Sequence, residues 1–226
     1  AVKSKAILKC VGLLVNFIYR KCDLIFVQSK AFMSAVEKRC KNIDKIKYMP
    51  NWAEDIFMSN NSNSDNSNIN LKGEFKILFA GNIGEAQDFP TILKAFSLIN
   101  DSRIHLNILG NGRKKEWVEN TALKLGIESK VHLHGQKNLE QMPFYFSQAD
   151  VLFVSLKNED IFNLTIPGKI QSYLASGKPI LGSIGGEGAR VILEAKAGLV
   201  SPPESPETLM KTISEISKMP KDDLIK

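Results

Sequence analysis

Lys169 closes the run Thr165-Ile166-Pro167-Gly168-Lys169, and its neighbours make it the best-placed cation of the chain. A lysine in the first turn of a helix joins a point charge to backbone N–H groups without helical partners, which is the chemistry of phosphate capture. Pro167 suits such an opening, because the N–H it removes would have had no partner. Glycine loops recur at Gly81-Asn82-Ile83-Gly84, Gly110-Asn111-Gly112 and Gly185-Gly186-Glu187-Gly188-Ala189-Arg190. Each glycine loop or Pro-Gly turn follows a β-type run and precedes a helical pattern, so their amides would converge at the carboxyl ends of parallel strands. Amides, a helix N-terminus and one cation can together hold a phosphorylated ligand. Glu187 has a plainer reading, as an acid at the start of its own helix. Arg190 likewise reads as the partner of Glu187 or Glu194 on the helix surface.

The elements that must position these residues alternate along the chain. A helix is expected over 4–21, a strand at Leu24–Val27, a helix capped by Ser29 to about Arg39, and a strand at Ile46–Met49 ended by Pro50-Asn51. Residues 59–70 are almost wholly Asn and Ser, with nothing to bury, and read as a flexible loop. Strands follow at 75–80, 104–109, 131–133, 151–154, 179–181 and 199–200. Helices are expected at about 90–99, up to 125, 139–148, 167–175, 187–195 and from 206. Val151-Leu152-Phe153-Val154 is apolar on both faces, as in a parallel sheet covered on both sides. The expectation is an α/β, doubly wound parallel Rossmann-like sheet over 49–226. Residues 1–48 are too few for a second core and read as the tail of another α/β domain.

Bulk properties narrow the class. The net charge of +6 is unevenly placed, because residues 1–50 carry eleven Lys/Arg against Asp23, Glu37 and Asp44. Basicity confined to one segment, without base-stacking aromatics, argues against nucleic-acid binding. The apolar run Cys10–Tyr19 is about half the roughly 20 residues that span a bilayer. With its flanking lysines and arginines, the segment 1–21 reads either as a helix packed on a larger domain or as one lying on a membrane surface. Cys10, Cys22 and Cys40 match neither a disulfide framework nor a zinc site and read as reduced thiols. His105 and His132 read as structural, Trp52 as hinge packing, and Trp117 as core or partly exposed packing. Gly110-Asn111-Gly112 lacks the third glycine and the downstream acid of a dinucleotide fingerprint, which argues against NAD.

Taken together, Pro50-Asn51-Trp52-Ala53-Glu54, Gly81-Asn82-Ile83-Gly84 with Ala86-Gln87, Thr165–Lys169, Gly177-Lys178-Pro179 and Gly186-Glu187-Gly188-Ala189 resemble the retaining GT-B-fold glycosyltransferases of family 4. Within that group the chain is most similar to the L-fucosamine (N-acetyl-L-fucosaminyl) transferases of bacterial O-antigen and capsule synthesis. The resemblance implies a UDP-sugar donor, a lipid-linked saccharide acceptor, no cofactor or metal, and a place in the cytoplasm, peripheral to the inner face of the membrane. It makes 1–48 the remnant of the acceptor-binding domain and 49–226 the donor-binding domain. The chain then looks like the C-terminal part of an enzyme, expected to be inactive without the rest.

By the same resemblance Lys169 and Glu187 are the catalytic candidates. Gly81, Asn82, Ile83, Gly84, Gln87, Gly135, Gln136, Lys137, Thr165, Ile166, Pro167, Ser172, Gly186 and Gly188 are the donor-binding candidates. The backbone of 134–137 would meet the base, and the loop 186–188 would approach the sugar and phosphates. Asn82 and Gln87 stand where many members carry Arg and Lys. Leu164 and Ser172 stand where the family carries its two glutamates, and one hydroxyl cannot grip a ribose diol as a carboxylate does. Two alternatives follow: a non-catalytic nucleotide-binding or partner domain, and a GT-B nucleotide-sugar epimerase, against which the scarcity of His argues.

Overall fold

The computed structural model describes residues 4–40, 42–58 and 70–220. All but the last residue of the expected 59–70 loop, and the first three residues of the basic segment, lie outside them. The N-terminal unit is α1 (Lys5–Lys21), β1 (Ile25–Val27), α2 (Lys30–Glu37) and β2 (Ile46–Tyr48). Its two strands pair in parallel, Ile25 opposite Ile46. Ser29 caps α2 as its sequence position predicts, its hydroxyl accepting from the Phe32 N–H at 3.2 Å. The small core comprises Val27, Val36, Cys40 and Ile46, while α1 buries none of its residues.

The larger unit alternates β3 (Phe75–Ala80), α3 (Phe89–Ser97), β4 (Ile104–Leu109), α4 (Lys115–Lys124), β5 (Val131–Leu133), α5 (Met142–Gln148) and β6 (Val151–Ser155). It continues with α6 (Asp160–Leu164), α7 (Gly168–Ala175), β7 (Ile180–Ser183), α8 (Gly186–Glu194), β8 (Gly198–Ser201) and α9 (Pro206–Ile216). All six strands are parallel, in the order β5-β4-β3-β6-β7-β8. The strand order therefore reverses between β3 and β6, the position where doubly wound sheets open a crevice for a ligand.

Strand pleating divides the core into two layers. Ile77, Phe79, Val151 and Phe153 face α3, α4 and α9, packing with Phe96, Val118 and Ile213. Leu78, Leu152 and Val154 face the other way and pack with Phe146, Ile170, Tyr173 and Ile192 of α5, α7 and α8. Double coverage explains why the β6 run is apolar at every position. Helix α6 has no counterpart in the sequence expectation, since five residues in a polar stretch carry too little periodicity to read. Pro167 precedes α7 as its cap residue rather than lying in its first turn.

Candidate active site

Three loops leave β3, β4 and β5 side by side and are laced together by backbone bonds. The Gly81 N–H donates to the Leu109 carbonyl at 2.8 Å, and the Gly110 N–H to the Gly135 carbonyl at 2.9 Å. The loops approach so closely that a Cβ on Gly110, whose φ is +151°, would overlap the Gly81 carbonyl oxygen. Beneath them α7 leads back across the crevice and brings Lys169 and Ser172 with it.

A cavity of about 460 Å³ results, walled by Gly81, Asn82, Asn111, Gln136, Lys137, Lys169 and Ser172 on its polar side. Its apolar wall comes from Phe57, Leu109, Met142 and Phe146, with the Phe57 and Phe146 rings stacked at 5.4 Å. Lys169 sets the electrostatics. Its ammonium lies 4.0 Å from the centre of the Phe79 ring, and 2.9 Å from where a Gly81 side chain would begin. No carboxylate pairs with it among the described residues, and burial pushes its pKa down to about 8. An apolar slot with a desolvated cation at one end suits a flat ligand that carries an anion.

The other sequence candidates divide by position. Ile83 is wholly buried in the core and Ile166 nearly so. Gln87 closes its own loop, its side-chain oxygen accepting from the Gly84 N–H at 3.1 Å. Gly135 supports Gly110 through its carbonyl, and the Thr165 hydroxyl donates to the Ile161 carbonyl at 2.7 Å. A Cβ on Gly186 would overlap the Asn163 backbone, and one on Gly188 would press on Ile184, so both serve packing at the start of α8.

Glu187, expected at the sugar and phosphates, lies outside the cavity lining. It takes Arg190 at 2.9 Å and accepts from the Lys30 N–H of α2 at 3.2 Å. Arg190 also bonds Glu194, as its helical spacing predicts. The Arg190 guanidinium first, and the α2 amides further, hold the Glu187 carboxyl below its ordinary value. Ser29 adds a second tie at the same junction, its hydroxyl donating to the Leu164 carbonyl.

The sequence reading missed Phe57, Met142, Phe146 and Tyr173. Their signal is only that of ordinary core residues. Trp52 departs from expectation in the other direction: it is 74% exposed, not packed in a hinge. The three histidines cluster: His105 Nδ1 and His132 Nε2 share a hydrogen bond at 2.8 Å, and His134 Nε2 bonds Asn107 at 2.8 Å. Among the described residues no group of three or more His, Cys, Asp or Glu is arranged to hold a metal, and no helix is long and apolar enough to cross a membrane.

Comparison with known proteins places this geometry in a family. The chain is 28% identical over 211 residues to the protein named "Probable glycosyltransferase WbjE" of Pseudomonas aeruginosa, covering 91% of this chain and 52% of that one. It thus spans about half the length of that relative. Among solved structures it superposes on Anabaena HepE in complex with UDP and glucose with a TM-score of 0.76 at 16% identity, over 98% of this chain and 60% of HepE. It also matches the C-terminal domain of the group 1 glycosyl transferase LpcC of Francisella tularensis, with a TM-score of 0.56 at 14% identity, over 69% of this chain and 81% of that domain. The α/β fold with six parallel strands is that of GT-B C-terminal domains. The family model described as glycosyl transferases group 1 matches residues 61–224, most of the sequence, and the chain belongs to that family.

Proposed function

We propose that this chain is the donor-binding part of a retaining glycosyltransferase of family 4. It would take N-acetyl-L-fucosamine from a UDP-sugar and pass it to a lipid-linked saccharide during bacterial surface-polysaccharide assembly. The observation that carries this reading is the unpaired ammonium of Lys169, set against Gly81 in a cavity at the reversal of strand order. When the bond from the sugar to the diphosphate breaks, the electron pair stays on the phosphate oxygen. A half-buried cation that lines the cavity and has no carboxylate partner among the described residues is well placed to stabilise that charge. The base has an apolar slot along Phe57, Met142 and Phe146, with Gln136 and Lys137 at its polar edge.

The relatives support the same reading, since HepE is described with UDP and glucose bound and WbjE is named a glycosyltransferase. In this proposal residues 1–48 belong to the acceptor-binding domain, and the basic segment 1–21 faces the inner leaflet of the membrane. No metal takes part in the proposed transfer.

Calorimetric titration with UDP, GDP and ADP, beside Lys169→Ala, tests the reading. UDP is expected to bind best and to lose at least tenfold in affinity in the variant. Equal or absent binding of all three nucleotides overturns it. A second reading, a non-catalytic nucleotide-binding domain, draws on Ser172 and Leu164, where the resemblance calls for glutamates. Ser172→Glu separates the two, tightening UDP binding several-fold at a working site and leaving a vestigial one unchanged.

A further inference from the structure

Asn107, in β4, is the only wholly buried Asn or Gln among the described residues. An amide in a core strand is costly unless its donor and acceptor sites are filled. Three bonds fill them here. The side-chain oxygen accepts the Lys72 N–H at 2.8 Å and the His134 Nε2–H at 2.8 Å, and the side-chain nitrogen donates to the Lys72 carbonyl at 3.0 Å. The two bonds to Lys72 stand in for a strand partner, because Lys72 lies before β3 and outside its ladder. The bond to His134 has no such backbone duty.

His134 opens the loop that leaves β5. Its backbone N–H donates to the Ile108 carbonyl at 2.9 Å, and the Gly135 carbonyl accepts from Gly110. The chain then turns at Gly135, whose φ is +73°, and Gln136 and Lys137 line the cavity. The His134 side chain therefore ties β4 to this loop at the point where it swings toward the ligand space. Its tautomer is set by Asn107: the amide nitrogen is committed to the Lys72 carbonyl, so the amide oxygen faces the ring and Nε2 carries the proton. Burial, with Lys137 and Lys72 nearby, lowers the His134 pKa. The ring is thus neutral at pH 7, and Nε2–H is its single donor.

We propose that Asn107 and His134 are positioning residues for base recognition, the buried amide holding the imidazole and the imidazole holding the loop that carries Gln136 and Lys137. The proposal rests on the nucleotide-sugar reading of the cavity. Uracil presents an N–H between two carbonyls along one edge, a pattern that adenine lacks. A loop that tells the two apart by hydrogen bonds must keep its place closely, because such bonds weaken steeply with distance and angle. The phosphate end, at Lys169, is reached from α7 and does not depend on this amide.

Calorimetry with UDP, ADP and inorganic pyrophosphate reads the base end and the phosphate end separately. His134→Phe keeps a ring and removes the donor. UDP affinity is expected to fall roughly three- to tenfold, the loss of one hydrogen bond, and the preference for UDP over ADP to shrink with it. Pyrophosphate affinity should stay unchanged. His134→Gln offers an amide N–H near the former Nε2 and should restore most of the preference. Asn107→Leu is expected to reproduce the loss, and adding His134→Phe to it should weaken UDP binding no further. Should the core substitution fail to fold, the half-buried position 134 still decides the matter. A ring needed only for folding would lower the unfolding midpoint and leave the preference for UDP over ADP intact. The proposal is overturned if UDP binds the unmodified chain and His134→Phe keeps that preference. It falls together with the donor-site reading if UDP does not bind the unmodified chain.

Discussion

The Tyr173 hydroxyl accepts the Ala80 N–H at 3.3 Å, at the point where β3 and β6 stop pairing. The last paired residues of these strands are Phe79 and Phe153, and the hydroxyl donates in turn to the Phe153 carbonyl at 3.4 Å. A side chain of α7 thus takes the place of a strand partner, and the crevice opens without orphaning the Ala80 amide. Burial raises the pKa of Tyr173, keeping its proton in place at any physiological pH.

Tyr173→Phe keeps the ring and removes this link. Leaving the Ala80 N–H unpaired is expected to cost about 1–2 kcal/mol in urea unfolding. UDP affinity should fall in the same variant, because α7 carries Lys169 and Ser172. An unchanged affinity at reduced stability would limit Tyr173 to a role in folding.

Lys169→Met should make the protein more stable and a poorer binder. A half-buried ammonium with no carboxylate partner opposes folding even though it lies over the Phe79 ring, and its replacement is expected to gain about 1 kcal/mol at pH 7. The pH dependence follows from the depressed pKa of about 8 against 10.5. Between these values the unfolded chain binds more protons, so stability rises with pH across that window and the slope vanishes in the variant. UDP affinity of the unmodified protein should decline as pH climbs past 8, which titrations at pH 7 and pH 9 will read.

Glu187→Gln tests the junction between the two units. The carboxylate joins Arg190 on its own helix to the amide of Lys30 on α2, and Glu187 is only 8% exposed. Its removal is expected to cost about 1–3 kcal/mol. Amide hydrogen exchange should quicken first at Lys30 and Ala31. Because the folded pKa is lowered, this stabilisation is present above pH 4.5 and is lost as pH falls toward the folded value.

Acid should also act through the histidines. Burial, together with the neighbouring His105 and His134, depresses His132 from 6.5 to about 4. Between these values the unfolded state binds the extra proton, so stability declines as pH falls from 6.5 toward 4. With solvent screening allowed for, about 1–2 kcal/mol is expected. His132→Gln should flatten that decline in unfolding curves taken at pH 7 and pH 5.

Local signals made the strands and the glycine loops legible. Val151–Val154 announces a strand covered on both faces, and Ser29 announces a helix start, because both depend on neighbours within a few residues. Lys169 was recognisable from Pro167 and Gly168 directly before it, at the opening of the same helix. Tertiary structure alone decided that Lys169 rests against Gly81, that Phe57 stacks on Phe146, and that Tyr173 holds the amide of Ala80, 93 residues away. It also turned Glu187 away from the cavity toward α2, and left Trp52 bare where local pattern suggested packing. Periodicity and turn chemistry act along the chain and so determine the elements. The partners of a buried amide or an unpaired cation are chosen by strand order, which places residues far apart in sequence at one crevice.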